Sequence, residues 1–330
     1  MRILIAGGAG MLGRKLADRL ARDGVIGGTP IAQLVLADVV PPVAPAGAAF
    51  PVETRVADLS QPGVATALVE GRPDVVFQLA AVVSGEAEAD FEKGYRINLD
   101  GMRLLLEAIR SVGDGYRPRV VFTSSIAVFG APFPDRIGDE FHLTPLTSYG
   151  TQKAIGELLL CDYTRRGIVD GVGIRLPTIC VRPGAPNKAA SGFFSSIIRE
   201  PLNGAEAVLP VADDVRHPLA SPRSAVANLV HAAGMDSALL GDRRCLTMPG
   251  LSVTVAEQIA GLREVAGDAA ADMIRREPDE TVARIVAGWP RAFDTARADA
   301  LGFRCESRFT EIIDVYVADE LGGVPAGAAR

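Results

Sequence analysis

Met1-Arg2-Ile3-Leu4-Ile5-Ala6-Gly7-Gly8-Ala9-Gly10-Met11-Leu12-Gly13 opens the chain. Apart from Arg2, its first six residues form one apolar run, the pattern of a strand buried on both faces. Glycines then fall at Gly7, Gly10 and Gly13, a GxxGxxG spacing, and a helical pattern follows over Met11–Arg22. Without Cβ atoms the backbone can turn tightly and approach a pyrophosphate, while the next helix directs its free N–H groups at the anion. The stretch therefore predicts strand, phosphate-holding turn and helix in that order. Gly7, Gly10, Met11, Leu12 and Gly13 are expected to lie against a dinucleotide.

Further runs continue the alternation. Strand-like segments at Ile3–Ala6, Leu34–Ala37, Val75–Leu79, Val120–Thr123 and Val172–Leu176 are separated by helical patterns at Met11–Arg22, Gly94–Ser111 and Tyr149–Arg166. Apolar strands between amphipathic helices imply a parallel sheet covered on both faces. The fold class expected is α/β, a Rossmann-type doubly wound parallel sheet with a smaller, irregular C-terminal substrate lobe. Residues 1–176 are assigned to the dinucleotide-binding domain and 177–330 mainly to the substrate lobe, with about 216–235 returning to the first domain. The change after Leu176 shows in Pro177, Pro183, Gly184, Pro186, Pro201 and Pro210. Pro41–Pro51 is expected to be a surface loop, Val253–Ala266 and Asp279–Ala287 helices, and Gly322–Arg330 a frayed tail.

Of 330 residues, 48% are hydrophobic but only 5% aromatic, so the core should be built from Val, Leu, Ile and Ala. A formal charge of −6 argues against general attraction to nucleic acid or anionic membrane. The apolar run Val75–Val83 is far short of the roughly 20 residues that span a bilayer, and no secretory signal pattern opens the chain. A cytoplasmic protein is expected. Its four cysteines, Cys161, Cys180, Cys245 and Cys305, lack the spacing of a metal site or disulfide framework and read as small buried hydrophobes.

Asp38 ends the second strand, 25 positions beyond Gly13. A carboxylate there can accept both hydroxyls of an adenosine ribose and repels a 2′-phosphate, so NAD is expected rather than NADP. Tyr149-Gly150-Thr151-Gln152-Lys153 is a YxxxK in a helical stretch, which puts phenol and ammonium on one face. A tyrosine acting as base at neutral pH needs its pKa lowered by about three units, roughly 4 kcal/mol. One cation at about 4 Å supplies that much at an effective dielectric near 20, so Lys153, helped by a positively charged nicotinamide, is expected to activate Tyr149. Upstream, Thr123-Ser124-Ser125 places hydroxyls at a strand end, and Ser125 is preferred as the group holding the reacting oxygen.

Taken in this order, the motifs resemble the extended short-chain dehydrogenase/reductases, the family of nucleotide-sugar epimerases and dehydratases. The resemblance runs from Met1 to roughly Ala233 and rests on GxxGxxG, Asp38, Asp58-Leu59, Leu79-Ala80-Ala81, Asn98, the serine-rich strand end and YxxxK. It implies that Asp58 and Leu59 lie against adenine, that Leu79, Ala80 and Ala81 line the cofactor, that Asn98 supports the catalytic geometry, and that Pro177, Thr178 and Ile179 pass near the nicotinamide. Two segments depart from the nucleotide-sugar pattern. Pro177-Thr178-Ile179-Cys180-Val181-Arg182 replaces the usual Asn-x-Tyr-Gly-Pro-Arg, and Arg216 is followed by His217-Pro218-Leu219 rather than His-Val-x-Asp. The similarity is greater to a branch that oxidises a four-carbon sugar acid. Oxidation of such an acid by hydride transfer to NAD⁺ is therefore expected, with Tyr149, Lys153 and Ser125 catalytic. The alternatives are a nucleotide-sugar epimerase, a uronate dehydrogenase, or a non-catalytic NAD-binding regulator. Arg182 or Arg216 is the candidate partner of a substrate carboxylate, and Ser84 and Asn187 are candidates for its hydroxyls. His142, His217 and His231 are read as structural. Apolar stripes on Gly94–Ser111 and Tyr149–Arg166 suggest a homodimer.

Overall fold

The computed structural model describes residues 1–184 and 190–323. Seven parallel strands form the central sheet: β1 (Arg2–Ala6), β2 (Gln33–Asp38), β3 (Val52–Val56), β4 (Val75–Gln78), β5 (Arg119–Ser125), β6 (Asp170–Leu176) and β7 (Cys245–Thr247). Their spatial order is β7-β6-β5-β4-β1-β2-β3, so the winding reverses between β1 and β4. In such sheets ligands bind outside the carboxyl ends of the strands at that reversal.

Side-chain alternation explains both layers. In β1, Ile3 and Ile5 enter one core with Leu34, Leu36, Val75 and Phe77, whereas Leu4 and Ala6 enter the opposite one with Val76, Val120 and Phe122. The first layer is closed by α1 (Met11–Asp23), through Leu16 and Leu20, and by the helix Pro222–Gly234, through Ala225 and Leu229. Its counterpart is closed by α2 (Gly101–Val112), through Met102, Leu105 and Ile109, and by Leu160 of α3 (Ser148–Arg165). With both faces covered, apolar residues at every strand position are buried, which is why the strands read as continuous hydrophobic runs.

The long helix expected over Gly94–Ser111 is broken into a short α-helix at Phe91–Gly94, a π-helical turn at Tyr95–Asp100, and α2. Wide turns of this kind recur at functional sites. Here the turn carries Asn98, whose side chain bonds to both backbone groups of Val82.

Residues Arg216–Ala220 form a three-stranded sheet with Thr178–Ile179 and Leu251–Thr254, and it is Cys245–Thr247 that adds a strand to the central sheet. A separate core joins the helices Gly192–Leu202, Val255–Ala266 and Phe309–Glu320 through Phe194, Ile197, Ile259, Leu262, Ile312 and Ile313. Among the described residues, no helix is long and apolar enough to cross a membrane.

Candidate active site

At the sheet's reversal point, Gly7 has φ +93° and donates its N–H to Ala37 O at 2.8 Å. A Cβ on Gly7 would lie 2.7 Å from Ala80 N, and one on Gly13 would lie 2.1 Å from Gly7 O. Both glycines are demanded by the protein's own backbone. Gly10 is different, because its Cβ would meet only Gly7 O, at 3.4 Å. Gly10 also precedes α1 without supplying a side-chain cap, and the first turn of α1 holds no acidic residue. The helix thus presents uncapped N–H groups over a cradle that a Cβ would fill, the fit a diphosphate requires.

The crevice at this point is lined by Gly7, Gly10, Asp38, Asp58, Leu59, Leu79, Ala80 and Ala81, which converge from the ends of four separate segments. Asp38 is oriented by the backbone N–H groups of Ala9 (3.0 Å to Oδ2) and Val40 (3.2 Å to Oδ1). Burial pushes the Asp58 carboxyl up, but hydrogen bonds from Ser60, Gln61 and Arg96 outweigh it and hold the group below its ordinary value. Met11 and Leu12 are half-buried at the start of α1. Asn98 is buried and works indirectly, bonding Val82 and, through Nδ2, Gln152 Oε1 at 2.7 Å. Pro177 precedes the short strand Thr178–Ile179, whose Thr178 hydroxyl bonds His217 Nε2 at 2.8 Å.

The second half of the site is built by contact between α3 and the turn after β5. Thr147 caps α3 by accepting from Gly150 N at 3.0 Å. A Cβ on Gly150 would lie 2.1 Å from Ala127 O, so the helix start and the turn Ile126–Val128 touch backbone to backbone. That approach sets Ser125 against Tyr149, where its hydroxyl draws the phenol pKa down. Ser124 faces the other way and donates to Glu157. Lys153, 3% exposed, donates to Thr123 O at 2.8 Å and sits 5.6 Å from the centroid of the Tyr149 ring.

Burial dominates the electrostatics of the Tyr149/Lys153 pair. Burial pushes the Tyr149 phenol up to about 12, against opposing effects of the Ser125 hydrogen bond and the Arg182 charge. Burial also pushes the Lys153 ammonium down to about 8, opposed by Glu157. Desolvation therefore outweighs attraction at both groups. Lys153 is turned to a backbone carbonyl, and among the described residues the cation acting on Tyr149 is Arg182.

Candidate substrate groups are divided by the fold. Arg182 is held through its backbone, its N–H bonding Ser195 Oγ at 3.0 Å and its carbonyl accepting from Arg199 at 2.8 Å. Arg216 instead turns to Ser252 O at 2.8 Å and Glu257 at 3.2 Å, leaving Arg182 as the arginine beside Tyr149. Ser84 is half-buried at the start of the helix Ser84–Ala89, whose Glu88 accepts from Ser148 N at the head of α3. Asn187 lies outside the described residues. His217 is buried, stacked 5.0 Å from Phe194, and pushed by desolvation to about 3, so it is neutral and a poor base.

Sequence reasoning missed the buried pair Glu157–Arg175, whose Nε and Nη2 meet the carboxylate at 2.8–3.1 Å. It also missed Gln152, which is fully buried beside Asn98. Glu157 could have been noticed two turns beyond Tyr149 on one helix face, and Arg175 as a charge inside the apolar run Val172–Leu176.

Comparison with known proteins agrees with this architecture. Residues 3–219 match the NAD dependent epimerase/dehydratase family. A protein named D-erythronate dehydrogenase from Cupriavidus necator is 50% identical over 323 residues, covering 97% of this chain and 98% of its own. A second of that name, from Haemophilus influenzae, is 43% identical over 321 residues, covering 96% and 99%. Among solved structures, one described as a nucleoside-diphosphate-sugar epimerase from Agrobacterium tumefaciens superimposes with a TM-score of 0.96 at 63% identity, covering 98% of this chain and 95% of its own. A dinucleotide cradle at the sheet's reversal, a Tyr/Lys helix beside it and a family match spanning residues 3–219 lead to one assignment: the chain belongs to the NAD-dependent epimerase/dehydratase family.

Proposed function

We propose that this chain is an NAD-dependent oxidoreductase that converts D-erythronate to 2-dehydro-D-erythronate. The observation that carries the reading is the convergence on Tyr149, whose phenol meets the Ser125 hydroxyl and feels the charge of Arg182. When bound, the oxidised cofactor would accept the hydride leaving the substrate's C2 and would bring a positive charge. Gly7, Gly10, Gly13 and the first turn of α1 (Met11, Leu12) would hold its diphosphate. Asp38 would take the adenosine ribose, Asp58 and Leu59 the adenine side, and Leu79–Ala81 with Pro177–Ile179 the walls.

Tyr149 takes the proton of the substrate's C2 hydroxyl, and Ser125 donates to the same oxygen and keeps it in place. Burial holds the phenol up at about 12, and positive charge brought beside it favours the phenolate. Lys153, anchored on Thr123 O, keeps its position at the end of β5 and offers its remaining protons to the nicotinamide ribose. Arg182 forms a charge-assisted pair with the substrate carboxylate, while Ser84 and Asn187 bind hydroxyls. The site has cations enough for a small acid.

A nucleotide-sugar epimerase is the second reading, favoured by the description of the Agrobacterium tumefaciens structure. Against it, Arg216 is engaged by Glu257 and followed by His217-Pro218-Leu219. Following NADH absorbance with D-erythronate, uronates and UDP-sugars decides between them; turnover of the UDP-sugar alone would refute the proposal. The enzyme is read as a cytoplasmic homodimer, joined through α2 and α3, where Leu158 is 65% exposed. Light scattering reporting a monomer would remove that contact.

A further inference from the structure

The catalytic helix and the strand beside it meet along a ladder of three matched contacts. On α3, Tyr149, Lys153 and Glu157 follow one another at four-residue intervals and share a face. On β5, Thr123, Ser124 and Ser125 are consecutive. Ser125 lies against Tyr149 and draws its pKa down, Thr123 O accepts from Lys153 at 2.8 Å, and Ser124 Oγ donates to Glu157. Two of these rungs belong to the chemistry proposed above. The third belongs to nothing in it, although Glu157 is only 2% exposed and Arg175 only 6%.

We propose that Glu157, clamped by Arg175, is a positioning residue that fixes Ser125 and Lys153 relative to Tyr149. Ser124 and Arg175 are register partners in the β5–β6 ladder, so one carboxylate ties two neighbouring strand ends to the catalytic helix. The Arg175 fork approaches through Nε at 3.0 Å to Oε1 and Nη2 at 2.8 Å to Oε2, which sets the carboxylate plane as well as its position. Arg175 is itself steadied by Asp139 at 3.8 Å and by the Phe129 ring at 5.1 Å. Asp139 also pairs with Arg297 of the C-terminal region. The brace therefore runs from the catalytic helix through the sheet into the second lobe.

Burying an ion pair costs desolvation that its attraction scarcely repays, so stability alone is a weak reason for it. Fixing a hydroxyl is a stronger one, because a displacement of about 1 Å can cost a hundredfold in rate. Glu157 also acts on charge. Lys153 faces Tyr149 and Glu157 on its own helix, with Arg182 acting on Tyr149, Arg175 and Asp139 lying behind Glu157, and the thiols of Cys161 and Cys245 beside that pair. Glu157 is the anion that opposes the loss of the Lys153 proton.

This inference rests on Tyr149 being the base, and two variant sets separate the two claims. Tyr149→Phe tests the base. Glu157→Gln removes one negative charge, which favours the deprotonated form of both Lys153 and Tyr149. Both limbs of the kcat–pH profile should then move to lower pH by about one unit, with kcat falling about tenfold and the Kd for NAD unchanged. Because a lone buried guanidinium could prevent folding, Glu157→Leu/Arg175→Met is made in parallel, replacing the pair with apolar volume. It should fold with melting at least as high as the parent and still lose about tenfold or more in kcat. A folded double variant with parental kcat and pH limbs overturns the positioning role, whatever Tyr149→Phe shows. An active Tyr149→Phe overturns the reading beneath it.

Discussion

Gly10→Ala is expected to weaken NAD binding while leaving the fold intact. The added Cβ would meet only Gly7 O at 3.4 Å, and the backbone there, at φ −67° and ψ 163°, accommodates any L residue. Alanine gains about 0.4–1 kcal/mol by restricting the unfolded chain and loses roughly 0.5–1 kcal/mol as a poorer N-cap than glycine. The two effects nearly cancel, so melting should move by less than about 3 °C. Binding has no such compensation. The Cβ stands where the diphosphate would meet the backbone, and one charge-assisted hydrogen bond lost is about 1.5–3 kcal/mol, a roughly 10- to 150-fold higher Kd. Calorimetric titration with NAD beside thermal melting measures both quantities. Gly13→Ala provides the contrast, since its Cβ would sit 2.1 Å from Gly7 O and must disturb the turn itself. An unaltered Kd in Gly10→Ala would refute placement of the diphosphate at this cradle.

Three further outcomes are expected. Tyr149→Phe should lower turnover by at least about a hundredfold with the Kd for NAD unchanged, and NADH production at the parental rate would exclude Tyr149 as base. Arg182→Gln should raise the KM for D-erythronate by roughly 10- to 100-fold, whereas Arg216→Gln should change it little; the reverse ranking in steady-state kinetics would exchange their roles. Lys153 is held at about 8 against 10.5 unfolded, so the unfolded chain binds the extra proton between those values and stability should rise with pH across that window. Lys153→Met should remove this rise. At pH 7 it should stabilise the fold by on the order of 2 kcal/mol, the ionisation cost less one hydrogen bond. Urea unfolding at pH 7 and 10 gives both values, and an undiminished rise would place the titration elsewhere.

Much of the site was readable because its parts are local. A glycine turn between strand and helix, a carboxylate at a strand end, and a phenol and ammonium four residues apart each lie within a short segment. What stayed hidden was short, polar or dependent on distant chain. Strand β3, Val-Glu-Thr-Arg-Val, lies at the sheet edge with its alternate residues exposed, so it lacks the apolar run of the inner strands. Strand β7 is only Cys245–Thr247, too short for any periodicity, and its register against β6 is settled by the packing of both lobes. Just before the π-helical turn, Gly94 packs where a Cβ would lie 2.8 Å from Gln152, a neighbour no local pattern discloses.

From the linear chain alone came the doubly wound class, the dinucleotide turn and the Tyr149/Lys153 pair, because backbone freedom and helical periodicity act over a few residues. Only the folded molecule could decide that Arg182 rather than Arg216 stands beside the phenol, that Ser124 turns to Glu157 while Ser125 meets Tyr149, and that burial raises the phenol pKa. Those outcomes depend on desolvation and on long-range charge, which are properties of the space around a residue and not of its neighbours in the chain.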